Sequence, residues 1–200
     1  MHFAMTTKNQ ILTKAIEISS SRGLKEMSMS ELAVECGLKK SSLYAHFASK
    51  DDIEEEALLL CSRILAKEID QMVITKGSAR DQLQSVAFFL YSLFGDSETG
   101  RCYTLIQSEK LRNITASKIY RQTFNMLTAR CEVMMDIKLG LMDSHYPAML
   151  FCSGLENLIC LFLMRQKETE KWEEFSWEIE KYCDGFLNLT FSPKKECQPK

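Results

Sequence analysis

Proline and glycine are scarce in this chain, three and eight among 200 residues. Architectures built from many short strands need that punctuation at close intervals, so its scarcity speaks against them and for long helices. Histidine is rarer still: His2, His46 and His145 stand far apart. No HExxH, phosphate-binding loop, GxGxxG or nucleophile elbow occurs, which argues against an enzyme and leaves no cofactor or metal to expect. The eight cysteines (36, 61, 102, 131, 152, 160, 183, 197) form no CxxC pair and no zinc-like spacing. They read as free thiols acting as small hydrophobes in a reducing compartment. A long apolar run is missing too. Ala148 to Met164 is interrupted by Glu156 and Asn157 and falls short of a membrane span. The start, Met1 to Met5, is too short for a signal peptide. The expectation is a cytoplasmic protein with no membrane partner.

What is present is enough to fold. Hydrophobic residues make up 46% of the chain and charged ones 26%, a balance that supports a packed core. The net charge of −2 hides an asymmetry. Residues 1–50 carry seven Lys/Arg against four Glu, a net +3, and the remainder carries −5. A basic head on an acidic body suits contact with a polyanion at one end.

Apolar residues recur at helical spacing from end to end, and the chain reads as all-α. The first helix is expected over about 8–21, with Thr7 as its cap, Ile11, Ala15 and Ile18 inward and Gly23 as its stop. Ser28 and Glu31 have the spacing of a capping box that opens a second helix with Leu32 and Ala33 inward. Gly37 ends it. A third helix follows over roughly 40–47, and Ser49 caps a fourth that runs from Lys50 towards Thr75. Further helices are expected at about 79–94, 100–111, 114–139, 145–165 and 168–190, with Gly95, Gly140 and the Pro193 region as stops.

Two short helices joined at Gly37 have the grammar of a helix-turn-helix. On a helical wheel Leu43 and Phe47 share the inward face of the third helix. Ser41 and Ala45 point away from it, with Ser42 and Tyr44 on the flanks. Such a small, hydroxylated face can enter a groove and meet base edges, while Lys39, Lys40 and Lys50 neutralise phosphates around it. The same residues could also be the ordinary surface of a three-helix unit.

Residues 9–53 resemble the DNA-binding domain of the TetR family of transcriptional regulators. The likeness runs through Ile11-Leu12, Ala15-Ile16, Gly23, Ser28 with Glu31-Leu32-Ala33, Gly37-Leu38, Leu43-Tyr44-x-His46-Phe47 and Ser49-Lys50. The resemblance implies that residues 1–52 are a helix-turn-helix domain whose third helix reads DNA. Lys40, Ser41, Ser42 and Tyr44 would then lie at the bases, with Tyr44, His46 and Lys50 on phosphates, and Ser28 and Lys39 would complete the DNA-binding set. Two positions depart from the family's pattern. Lys39 stands where a capping serine is usual, and Ser19 where an aromatic often closes the first helix.

Residues 53–200 would form the larger helical domain, for effector binding and dimerisation. Tyr120, Phe124, Leu127, Cys131 and Met134 line up at helical spacing, and Phe88, Phe89 and Tyr103 add aromatic surface. They could line a pocket for a small apolar or aromatic effector, or simply pack a core. The segment Ala148–Met164 is apolar nearly all round and calls for burial on two sides. Ser153 and Gly154 would let two helices cross closely. With Leu158, Phe162, Phe175, Ile179, Tyr182 and Phe186 they are expected to form a homodimer interface, which the resemblance implies is a four-helix bundle. Cys102, after Gly100-Arg101, is a candidate redox sensor, a role found in one TetR-like subgroup. The functional expectation is a repressor released from a palindromic operator by an effector. The alternative is a helical ligand-binding and dimerisation scaffold that does not bind DNA.

Overall fold

The computed structural model describes residues 7–94, 97–140, 143–165 and 172–191. These residues form the helices α1 (Thr7–Arg22), α2 (Met29–Glu35), α3 (Lys40–Tyr44), α4 (Lys50–Asp70), α5 (Ala79–Ser92), α6 (Glu98–Glu109), α7 (Ile114–Leu139), α8 (His145–Arg165) and α9 (Trp172–Phe191). No strand occurs among the described residues, so the all-α expectation is met. The proposed stops at Gly95 and around Pro193, and the expected start of the last helix at 168, lie outside them. Contacts group residues 1–71 with 92–126 as one compact unit and 72–91 with 127–200 as another. Packing thus places α4 and α6 with the head, whereas the division at 52/53 was one of function.

In the first unit α1 packs on α4 and α6. Ile11, Leu12, Ala15, Ile16 and Ile18 supply its inward face, and Gly23 turns the chain away at φ +92. Thr7 proves to be the first helical residue and not a cap. Ser19, where the family often has an aromatic, packs against Met27. It is fully buried, its hydroxyl donates to Met27 Sδ at 3.6 Å, and the flexible Met27 is itself 2% exposed.

The second unit is built from α5, the later part of α7, α8 and α9. Phe162 and Phe175 stack at 4.0 Å between ring centroids, with Tyr91 tilted against both. Phe151 packs between Tyr182 and Phe186. The α7–α8 turn is tied by the Ser144 hydroxyl, whose one proton is shared between Glu132 O at 3.0 Å and Asp136 Oδ1 at 2.5 Å.

Candidate functional site

The geometry of the head begins with local capping. Ser28 is the N-cap of α2 and accepts the Glu31 amide at 3.1 Å. The expected reciprocal bond is absent, because the Glu31 carboxylate pairs with Arg22, which also holds it below the usual carboxylate range. A complete capping box occurs one motif later. Ser49 Oγ accepts Asp52 N at 3.1 Å while Asp52 Oδ2 accepts Ser49 N at 3.0 Å. To reach that cap the backbone must become extended at Ser49 (φ −147, ψ 171). This is why α3 ends at Tyr44 and not at Phe47. The amides of His46 and Phe47 both close on Leu43 O at 3.0 Å, leaving Ala45 and His46 in a turn.

Leu43 and Phe47 are buried at 0% and 3% exposure and anchor this turn of chain. Outward stand Lys39, Lys40, Ser41, Tyr44, Ala45 and His46, all exposed, with Ser42 half-buried at the edge. Lys39 occupies the N-cap of α3 and makes no side-chain cap, so the start of α3 offers uncapped amides beside two lysines. Lys50 differs from the other candidates. It is half-buried, with Nζ 3.1 Å from Lys25 O and 3.1 Å from Glu54 Oε1. A phosphate would have to compete with both.

The expected pocket residues do not come together. Tyr103 is buried edge-on to Phe94, and Tyr120 stacks on Phe124 beneath the Lys110 ammonium, all within the first unit. Leu127 and Cys131 are core residues of the second unit, where Cys131 meets Cys152 at 3.4 Å. Phe88 is exposed and Phe89 half-buried. A cavity of about 720 Å³ does exist in the second unit, and of the expected set only Met134 lines it. Its apolar wall is otherwise Met72, Ile74, Val133 and Ile137, and its polar groups include Lys76, Gln82 and Arg130. Met72, Ile74 and Lys76 escape a sequence reading that extends α4 to Thr75. In fact α4 ends at Asp70, and the β-branched run Val73-Ile74-Thr75, poor in a helix, forms a loop over the cavity. Thr75 fixes that loop through Ser85 Oγ and Asp81 O, both at 3.3 Å.

The expected interface residues also divide. Phe162, Phe175 and Ile179 are buried inside the unit, while Leu158, Tyr182 and Phe186 are half-buried. Gly154 is occupied from within the same chain. A Cβ there would meet the Tyr182 hydroxyl, with Cζ and Cε2 at 3.1 and 3.2 Å. Ser153 alone of the set is exposed. It shares the outer face of α8 with Tyr146, Leu150, Asn157 and Leu161, and α9 presents Trp177, Lys181, Gly185 and Leu189 outward. Cys102 is not at a helix opening, since α6 starts at Glu98 with Ser97 as cap. Its side chain is fully buried, and its hydrogen bond with Cys61, together with burial, pushes the Cys61 thiol far above the ordinary range.

Residues 11–57 match the family model described as bacterial regulatory proteins, tetR family. This likeness is confined to the N-terminal head, from α1 to the first turns of α4. The negative transcriptional regulator IcaR of the biofilm operon icaADBC in Staphylococcus aureus is 25% identical over 115 residues, 58% of this chain. The match spans 60% of that relative's length. The fold as a whole is similar to a transcriptional regulator from Rhodococcus sp. Rha1, with TM-score 0.71, 15% identity and coverage of 92% of this chain and 97% of the other. It is likewise similar to a protein from Saccharomonospora viridis solved in complex with choline, with TM-score 0.70, 16% identity and coverage of 90% and 95%. Among the described residues no helix is long and apolar enough to cross a membrane.

Proposed function

We propose that the protein is a ligand-responsive transcriptional repressor that binds a palindromic operator as a homodimer. The observation that carries this reading is the outward set of α3 and its turn. Two lysines, a serine, a tyrosine and a histidine stand exposed around a helix start without a side-chain cap, while Leu43 and Phe47 anchor the same stretch inward. Lys39 and Lys40 suit phosphates, Ser41 and Tyr44 suit base edges, and Ala45 permits close approach. A helix of five residues contacts few base pairs, so doubling through a two-fold axis is what gives affinity. The outer apolar faces of α8 and α9, with Tyr146 65%, Leu150 63% and Trp177 59% exposed, support that second copy. Repression is the activity in the name of the Staphylococcus aureus relative, and a bound small molecule is found in one structural neighbour. Residues 1–52 as the DNA-binding region and 53–200 as the effector and dimerisation region are part of this reading. The test is a gel shift of the full chain with the DNA upstream of its own gene. A discrete complex at low nanomolar to micromolar protein, resistant to non-specific competitor, is expected. Binding no tighter than to unrelated DNA would favour a scaffold without operator recognition.

A further inference from the structure

We infer that the cavity under the 72–79 loop takes an amphipathic monoanion: an acidic head group on an apolar body. This rests on the ligand-responsive reading above and names the class of ligand. The cavity measures about 720 Å³, within the range of small-molecule sites. Its apolar wall is formed by Met72, Val133, Met134 and Ile137, enough for an alkyl chain or an aromatic ring. The charged side chains that line it are both cationic, Lys76 and Arg130, and no aspartate or glutamate lines it. The nearby Asp81 carboxylate is turned to the Ser78 amide and hydroxyl, at 2.8 and 2.7 Å. Arg130 is held at the wall by a 3.0 Å bond from Nη2 to Met72 O, which fixes where its charge sits. Lys76 is exposed on the loop and can fold down on a bound acid.

A second observation points to a ligand independently of charge. Gln82 lines the cavity at 4% exposure, and its Nε2 donates to Gly77 O at 3.3 Å. Its Oε1 is buried with no hydrogen-bond partner. A buried acceptor left unpaired is costly, and a hydroxyl or amide N–H beside the acidic head of a ligand can satisfy it. Two cations and no anion also disfavour a quaternary ammonium ligand at this site.

The test uses the full chain and three probes with the same ten-carbon tail: decanoate, 1-decanol and decyltrimethylammonium, each below its aggregation limit and followed by calorimetry. Decanoate should bind at least about tenfold more tightly than decanol, the scale of one charge-assisted hydrogen bond. The cation should bind more weakly than either. Lys76→Glu, a change on an exposed loop, should bring decanoate to the level of decanol or below, and Arg130→Gln should act in the same direction. Equal binding of decanoate and decanol, no binding of any probe, or an unaltered decanoate affinity in Lys76→Glu would overturn the inference. A gel shift of the same preparation without any probe reports separately on DNA binding. Loss of the operator complex there would sink the regulator reading and leave the ligand result standing.

Discussion

Replacing Gly154 by alanine tests the packing of α8 on α9 at one atom. The added methyl would meet the Tyr182 hydroxyl and come within 3.1 and 3.2 Å of ring carbons Cζ and Cε2. A phenol ring is rigid, so it must swing as a whole. In doing so it loses the 2.8 Å bond from its hydroxyl to Phe151 O, about 1 kcal/mol for a neutral pair. Overpacking adds about 1–3 kcal/mol, and the better helix propensity of alanine returns about 1 kcal/mol. The expected net loss is about 1–3 kcal/mol, each kcal/mol lowering Tm by about 2–4 °C in a chain of this size. Tyr182→Phe alone should cost about 1 kcal/mol through the same hydrogen bond. With the hydroxyl gone the worst clash is removed and the ring carbons need give by only a few tenths of an ångström, so the double variant should be more stable than the sum of the singles by about 1 kcal/mol. Urea denaturation followed by circular dichroism, at one fixed protomer concentration, measures all four proteins. Costs that add to within a few tenths would mean that the two groups do not meet, and that Gly154 is spared for another reason.

Three further outcomes follow from the same structure. Ser49→Ala removes one half of the α4 capping box and should cost about 1 kcal/mol, with a matching loss of operator affinity because α3 leads directly into that cap; denaturation and anisotropy titration check it. Leu150→Glu with Trp177→Glu should leave each subunit folded and turn a dimer into a monomer by sedimentation, and an unchanged sedimentation coefficient would mean that this face is not the interface. The Cys183 thiol is pushed up to about 12 by burial. Its folded pKa lies above its unfolded one, so its contribution is complete below about pH 8.5 and is lost as pH rises towards 12. Cys183→Ala should therefore flatten the alkaline limb of the stability profile, and an identical limb would refute that assignment.

How far the sequence could be read varies with how local the determinants are. The head was legible because its signals are local: Ser49 as the cap of α4, Gly23 and Gly37 as stops, both at positive φ, and Leu43 with Phe47 on one face. Even there Glu31 escaped, since its partner Arg22 lies nine residues back and takes the carboxylate in place of the Ser28 amide. The cavity was missed through a boundary error. Helical spacing up to Ile69 was extended over Val73-Ile74-Thr75, although β-branched residues in sequence favour extended backbone. The interface set divides for a different reason. A helix that is apolar nearly all round, like α8, gives periodicity no preferred direction, so Phe162 in the core and Leu161 outside look alike in sequence. Gly154 was read as a crossing point between subunits. The atom that fills its clearance belongs to Tyr182, 28 residues further on, and no local pattern reveals it.

The central claim is that exposed lysines beside α3 hold an operator for a pair of subunits. Its most direct measurement is an anisotropy titration of the upstream DNA across a series of salt concentrations, comparing the native chain with Lys39→Ala and Lys40→Ala. Each lysine on a phosphate appears twice in a dimer. Each substitution should therefore weaken binding and reduce the slope of log affinity against log salt by about 2. Affinity and slope that both stay at the native values in the two variants would contradict the account.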